Sequence, residues 1–503
     1  MGGFSSGGEK ARLMADLIER WINNPLARLF LRYLTRRDER GRRIERILMN
    51  YSDLEVSLTL GDKVASLILR IFLDSISRTL GLSREKMRRY LRIGYWRKGL
   101  ALVLEGIAWR GAERPFTASA PFLVVWNFTN ACNLHCEHCY QRADRPTPDE
   151  LSMEEALRAV DIMAEAGVAY IAFSGGEPLL RRDFFTVAEK VVEHDIGFSL
   201  ATNGTLLTRD NVRRLEKLGC EFVQISLDGL RETHNRFRGA NCFDRVLEGI
   251  RNAVKSRMAV GVSTCITRYN LHEIENLLDL AEELGVDIFM HYNFIPTGRG
   301  REIVEVDITP EEREKLLNYL ASQIGLRHMS ILSTAPQYAR ICIGYGYVSL
   351  THFDIFGQQL GKAEEIGFLA EFIGGCGAGR LYMALQPNGD LAPCVFIPIK
   401  IGNILVDDFL ELWRNSKTLN LIRDRRSFKG CCGVCPWREI CGGCRARAYA
   451  YLGDLQESDP GCPLNMDRWR LIEERLRAKP LESKPRYLKA ASTRSLSLSD
   501  SRS

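Results

Sequence analysis

The sequence predicts an α/β fold: six strands alternating with five helices, preceded by a helical N-terminal domain and followed by a small cysteine-rich C-terminal domain. Three observations carry that expectation. Strand-like and helix-like patterns take turns from residue 122 to residue 294. Residues 9–115, before them, show helical periodicity and a basic balance. Most of the fifteen cysteines gather in two places, one just past the first strand and one between residues 376 and 462.

In chain order, GGFSSGG reads as a flexible start. Residues 9–115 read as helices: in ARLMADLIERWINNPLARLFLRYL, apolar residues recur at Leu13, Leu17, Ile18 and Trp21, a period of about 3.6 residues. VASLILRIFLDSISRTLGLS repeats the pattern and stops at Gly81. Residues 1–115 hold about 23 Lys and Arg against about 13 Asp and Glu, roughly +10, where the whole chain carries +6. The plain reading of that charge is a solvated basic face. The sharper one is contact with an anionic surface, a lipid headgroup or an acidic substrate.

TASAPFLVVWNF then switches to a strand. FLVVWNF (122–128), VAYIAFS (168–174), IGFSLAT (196–202), FVQISLD (222–228), MAVGVSTCIT (258–267) and VDIFMHYNF (286–294) read as strands. Amphipathic helices such as SMEEALRAVDIMAEAG (152–167) separate them. Alternation predicts a parallel sheet, and six units suit a partial barrel as readily as a doubly wound sheet. Either puts its chemistry at the C-terminal ends of the strands. Residues 301–370 read as a linking helical region and 371–478 as the cysteine-rich domain. Residues 479–503, rich in Ser, Arg and Lys, read as a disordered tail.

Composition narrows the class. Hydrophobic content of 45% and charged content of 26% are ordinary for a soluble globular protein. No apolar run reaches the roughly 18 residues of a membrane span, and the start has no apolar signal core, so a cytoplasmic location is expected. Fifteen clustered cysteines, an odd number, point to metal or redox chemistry rather than to a disulfide framework.

The first cluster is TNACNLHCEHCYQ (129–141), with Cys132, Cys136 and Cys139 spaced C-x3-C-x2-C just past the first strand. Three thiolates can hold three irons of a cubane and leave the fourth open, as a catalytic metal site does. The competing readings are a zinc site completed by His135 or His138, and plain free thiols.

These residues resemble the radical S-adenosylmethionine (SAM) superfamily, because SGGEP (174–178), TNGT (202–205) and ISLDG (225–229) follow at the ends of the next three strands. The resemblance implies a partial (β/α)6 TIM-type barrel over residues 120–300. It implies a catalytic [4Fe–4S] cluster on Cys132, Cys136 and Cys139, with SAM completing the open iron. Gly175, Gly176, Glu177 and Pro178 would meet SAM's methionine amino group, the glycines letting backbone approach the ligand. Asn203, Ser226 and Asp228 would line the cleft near its carboxylate and ribose. Asn270 and Arg299, at the ends of the fifth and sixth strands, are further candidates. A low-potential electron, from a donor of ferredoxin or flavodoxin type, would cleave SAM to a 5′-deoxyadenosyl radical that takes a hydrogen from an unactivated C–H bond.

The second cluster runs C376-GAGRLYMALQPN-G389-DLAP-C394, then C432-GV-C435-PWREI-C441-GG-C444, then Cys462. It resembles the SPASM extension of these enzymes, which carries two auxiliary [4Fe–4S] clusters. That likeness implies one cluster on Cys432, Cys435, Cys441 and Cys462 and another on Cys376, Cys394 and Cys444. Two departures bear on the second. The gap between Cys441 and Cys444 is x2 where the pattern has x3, and no cysteine immediately precedes Cys376, which leaves Cys342 and Cys431 as candidates. On spacing alone the run also suits zinc knuckles. Cys220, Cys242 and Cys265 read as small buried hydrophobes. His234, in the loop RETHNRFRG, reads either as a cleft residue or as part of a solvated loop.

SPASM-type enzymes modify ribosomal peptides or protein side chains, or mature cofactors such as pyrroloquinoline quinone and haem-type tetrapyrroles. CGGCRARAYAYLGD and PTGRGR resemble the cofactor-maturation branch. The helical N-terminal domain also lacks the strands and winged helix of a peptide-binding module. The expected function is therefore SAM-radical chemistry in maturation of a cofactor such as a haem-type tetrapyrrole. The alternatives are peptide or protein modification, and a non-catalytic iron–sulfur electron carrier or zinc protein. A carrier needs neither a SAM cleft nor an open iron. A small-molecule or peptide substrate is expected and no nucleic acid, with a peripheral membrane or anionic-surface contact through the basic helices.

Overall fold

The computed structural model describes residues 24–79, 83–111, 113–349 and 370–478. The expectations at Leu13–Trp21, at Gly81 and for the 479–503 tail lie outside those residues. Asn24, whose side chain accepts the Leu26 N–H at 2.9 Å, and Pro25 in the first turn start α1 (Pro25–Leu34). A two-residue ribbon follows, β1 (Arg37–Asp38) with β2 (Gly41–Arg42), which the helical periodicity does not announce. The domain continues with α2 (Arg43–Tyr51), α3 (Leu60–Thr79), α4 (Arg84–Arg92) and α5 (Gly94–Arg110).

The six expected strands are β3 (Leu123–Thr129), β4 (Tyr170–Gly175), β5 (Gly197–Thr202), β6 (Phe222–Ser226), β7 (Ala259–Ile266) and β8 (Ile288–Asn293). They pair in parallel in chain order. Two further parallel strands extend this sheet. β9 (Ser330–Ser333), inside the region expected to be only helical, pairs with β8. β10 (Tyr382–Leu385), from the cysteine-rich region, pairs with β3 through Tyr382↔Leu123. β11 (Asp390–Ala392) and β12 (Gly402–Asn403) continue antiparallel from β10. β9 and β10 do not pair with each other, so the barrel is partial.

Helices α6 (Met153–Ala166), α7 (Phe184–Glu193), α8 (Arg209–Leu218), α9 (Arg231–Arg238), α10 (Phe243–Ala253), α11 (Ile274–Glu283), α12 (Pro310–Ser322) and α13 (Gln337–Gly344) complete the barrel region. Local chemistry sets their ends. Ser152 and Glu155 form a capping box at the start of α6, and Gly167 at φ +90° ends it. The main core lies between this layer and the outer face of the sheet, around Val124, Trp126, Phe128, Phe173 and Phe198. A second core joins the N-terminal helices to the alternate residues Leu123, Tyr170 and Tyr382 and reaches Cys394 and Cys444.

The N-terminal helices sit at one end of the barrel. Arg42 donates to the Gly167 carbonyl, Arg97 to Asp195 at 2.9 Å, and the Tyr95 hydroxyl to Glu221 at 3.4 Å. Gly167, Asp195 and Glu221 stand just before β4, β5 and β6. This domain therefore closes the end opposite the edge that carries the cysteine loop, which its charge balance alone does not reveal.

Candidate functional site

The cysteine loop leaves β3 and turns back on itself, with the Asp144 N–H donating to the Asn130 carbonyl and the Cys132 N–H to the Asp144 carbonyl. Three neighbours brace it. Arg299, 7% exposed, donates from its backbone to the Cys139 carbonyl, from Nε to the Cys136 carbonyl at 2.9 Å and from Nη2 to the Ala143 carbonyl at 2.8 Å. At the end of α9, the carbonyls of Phe237 and Arg238 accept the Glu137 and His135 N–H groups. From β4, the Gly176 and Glu177 N–H groups donate to the Thr129 and Ala131 carbonyls. A Cβ on Gly176 would run into the Ala131 carbonyl. The close approach these glycines permit is thus to the cysteine loop itself.

Buried charge surrounds the thiols. Burial pushes the Cys136 thiol up to about 11, and Arg238, whose Nη1 lies 3.6 Å from Cys136 Sγ, pulls the other way. Arg238 also pairs with Asp228, which is 1% exposed. Burial pushes the Asp228 carboxyl up, but Arg238 and His138 outweigh it and hold it below the usual range. Asp228 further accepts the Cys265 N–H at 2.8 Å. His138 Nε2 faces Asp228 at 3.4 Å, so this ring is engaged with a carboxylate.

Glu177 is fully buried, and its carboxylate accepts from Leu179 N–H, Thr202 Oγ1 and Asn203 N–H. Burial still raises its pKa to about 7. Asn203 Nδ2 donates to Asn133 of the cysteine loop at 2.8 Å. Pro178 opens a short 3-10 turn, and Ser226 ends β6 half-buried. Asn270 is buried and donates to the Asp228 and Cys265 carbonyls. The RETHNRFRG loop is a helix, α9, and His234 on it is buried, its Nδ1 accepting the Asp228 N–H. His234 is therefore part of the support for Asp228 and not a solvated loop residue. Sequence reasoning passed over Arg238. Its one local signal is Gly239 at φ +67°, where a Cβ would come within 2.6 Å of the His135 carbonyl.

In the C-terminal region, Cys432, Cys435, Cys441 and Cys462 line one cavity with Gln337, Arg340 and Asp459, and Cys431 sits at its rim. Amides already point at the sulfurs: Gly443 N–H to Cys441 and Asp459 N–H to Cys432, both at 3.4 Å. The donor set, its all-sulfur chemistry and these amides fit an iron–sulfur cubane. Among the described residues no three Cys, His, Asp or Glu side chains converge as a single-ion site. Cys444 lies apart from that cavity. Cys376 neighbours both Cys444 and Cys394, and Tyr382 lies near all three, its hydroxyl donating to Cys394 Sγ at 3.2 Å. Cys342 is buried in α13, Cys220 is buried before β6 and Cys242 before α10, whereas Cys265, on β7 and also expected to be buried, is half-buried.

A parallel partial barrel with three thiols at the end of its first strand, and a sulfur-lined region attached to the same sheet, defines a SAM-radical class of iron–sulfur enzyme. Comparison with known proteins agrees. Residues 126–281 match the radical SAM superfamily, and residues 376–445 match an iron–sulfur cluster-binding domain, SPASM. The chain is 35% identical over 354 residues to the AdoMet-dependent heme synthase of Methanosarcina barkeri, covering 68% of this chain and 97% of that protein. It is 29% identical to the pre-heme d1 synthase of Dinoroseobacter shibae over 71% of this chain and 87% of that protein. The fold resembles Streptococcus suis SuiB bound to precursor peptide SuiA, with TM-score 0.58, 18% identity and coverage of 84% of this chain and 93% of that one. The protein belongs to the radical SAM superfamily and is a member with a C-terminal SPASM domain. It is an enzyme that uses SAM with a [4Fe–4S] cluster and auxiliary clusters, and it needs a reductant. No described helix is long and apolar enough to cross a membrane.

Proposed function

We propose that this enzyme matures a haem-type tetrapyrrole by abstracting hydrogen from a carboxylate-bearing side chain of the macrocycle. The observation that carries this reading is the likeness to a heme synthase over nearly that protein's whole length. When bound, the three-cysteine cluster supplies the electron that cleaves SAM to the 5′-deoxyadenosyl radical. The chain's own part is positional. Arg299 fixes the loop carbonyls, and Arg238 places positive charge beside Cys136. Tyr140, bonded to Asn127 and Ser174 and packed on Phe396 with rings 4.9 Å apart, helps keep water from the inner edge of β3 and β4. Glu177, Asn203, Ser226 and Asp228 face SAM in this reading.

A peptide substrate is less favoured, because the N-terminal helices pack at the closed end of the barrel, away from the cysteine loop. We further infer a low-potential donor of ferredoxin or flavodoxin type, approaching the rim of the four-cysteine cavity, where Val434 and Leu464 are 84% and 56% exposed. The fifteen free thiols suit a reducing cytoplasm. The test is anaerobic reconstitution with SAM, reductant and an iron porphyrin bearing propionates, followed by mass analysis. With a one-electron acceptor present, we expect 5′-deoxyadenosine together with a lighter, decarboxylated porphyrin, the side-chain radical losing carbon dioxide and giving its electron to that acceptor to leave an alkene. An unchanged porphyrin beside normal 5′-deoxyadenosine would sink the substrate and leave the enzyme class intact.

A further inference from the structure

α3 is apolar on two sides. Leu69 and Leu73 face the domain core at 1% and 2% exposure. Leu60, Val64, Leu67, Ile68 and Ile71 stand 43–82% exposed on the other side. At about 100° per residue those five fall on one stripe along three turns. A contiguous exposed apolar patch of this kind marks an interaction surface.

The stripe has a cationic neighbour. α4 reads REKMRRYLR, five cations against one acid, and is tied to α3 through the Arg84–Asp74 pair at 2.5 Å. Its Lys86 and Arg89 form no ion pair among the described residues, and Lys63 lies on the exposed side of α3 itself. An apolar stripe beside clustered Lys and Arg is the composition of a surface that lies in a bilayer interface, its cations among anionic headgroups. Two further facts fit. The domain closes the barrel end opposite the cysteine loop, so a surface bound there leaves the cleft edge free. The match to the heme synthase spans 97% of that protein but only 68% of this chain, so about a third of this chain has no counterpart in it.

We propose that the outer face of α3 seats the enzyme peripherally on an anionic lipid bilayer, with the apolar stripe at the acyl boundary and the α4 cations among the headgroups. The proposal is independent of the substrate. It is tested by flotation of the full-length protein with vesicles of phosphatidylcholine alone and of phosphatidylcholine mixed with phosphatidylglycerol. We expect co-flotation with the anionic vesicles that weakens as salt rises, and little with phosphatidylcholine alone. Leu67→Glu with Ile71→Glu should weaken partitioning by about tenfold or more. Should that variant misfold, Lys86→Glu with Arg89→Glu is the second arm; it should retain lipid-free 5′-deoxyadenosine formation and lose most of the salt-sensitive binding. Failure of the wild type to float, or equal flotation of wild type and both variants, overturns the proposal. So does a wild-type dimer that Leu67→Glu dissociates, which would give the stripe to a second copy. Vesicle binding that appears only after deletion of residues 1–23 would give it to the chain's own N-terminus and overturn the proposal equally.

Discussion

In the loop after β3, three cysteines fall within eight residues and the backbone folds back on itself between Asn130 and Asp144. In the C-terminal region, the sulfurs arrive from the segment before β10, the end of β11, the 432–444 stretch and Cys462, and only tertiary packing unites them. Each region buries some of its thiols, and burial disfavours the thiolate there. Burial takes Cys136 and Cys394 to about 11 and Cys444 and Cys462 to about 12. Each answers with arginine: Arg238 at Cys136, Arg447 at Cys444 and Arg340 at Cys462. The difference lies in what each depends on. The loop is a local object with external braces, whereas Cys376, Cys394 and Cys462 reach their sets only through tertiary packing.

The largest expected effect breaks the loop alone. Replacing Cys132, Cys136 and Cys139 with alanine should abolish 5′-deoxyadenosine release while removing only about four of about twelve irons. Retained release would end the assignment of the loop. Next, Cys376, Cys394 and Cys444 changed together to alanine should leave iron near eight per chain, with SAM still cleaved. Wild-type iron near four with stoichiometric zinc would instead make the C-terminal sets zinc knuckles. A smaller effect sharpens the role of the braces. Arg299→Ala strands two buried carbonyls and should cost about 3–5 kcal/mol in urea unfolding of the metal-free protein. A cost near zero would mean the loop holds itself.

The smallest effect concerns Glu177. Its pKa rises from 4.5 to about 7 on folding, so between those values the folded chain binds the extra proton. Stability from this group is therefore full below about pH 4.5, falls as pH rises to about 7, and is level above. Glu177→Gln should lack that decline, a difference of about 1–3 kcal/mol between melts at pH 5 and pH 8. Parallel pH profiles for the two proteins would remove the effect.

The barrel was legible wherever strands ran long enough to show a pattern, which is why β5 to β8 fall inside the predicted segments and β3 and β4 overrun theirs by one residue. β9 and β10 were not, because four-residue strands carry too little pattern and β10 is buried on both faces. α9 was hidden by its polar sequence, in which Phe237 is the only large apolar side chain. The SPASM likeness separates the two C-terminal sets on paper, yet nothing in the cysteine pattern announces Tyr382 beside Cys394. Nor does an arginine's letter say that it will turn inward. Arg238 and Arg299 matter here because each reaches the distant cysteine loop, Arg238 at the Cys136 sulfur beside its Asp228 ion pair and Arg299 at two main-chain carbonyls.

β3 lies between β4 and β10, so its two ladders come from very different parts of the chain. Asn127 bonds Gln386 across 259 residues, and the Trp413 indole donates to the Ala118 carbonyl across 295. On the ribosome, β4 can join β3 soon after both emerge, but the other edge of β3 must wait for about three quarters of the polypeptide. The three thiols that follow β3 thus pass most of synthesis on a strand with one side unpaired. A message truncated before residue 382 should yield a protein that binds iron at those thiols poorly despite encoding all three ligands.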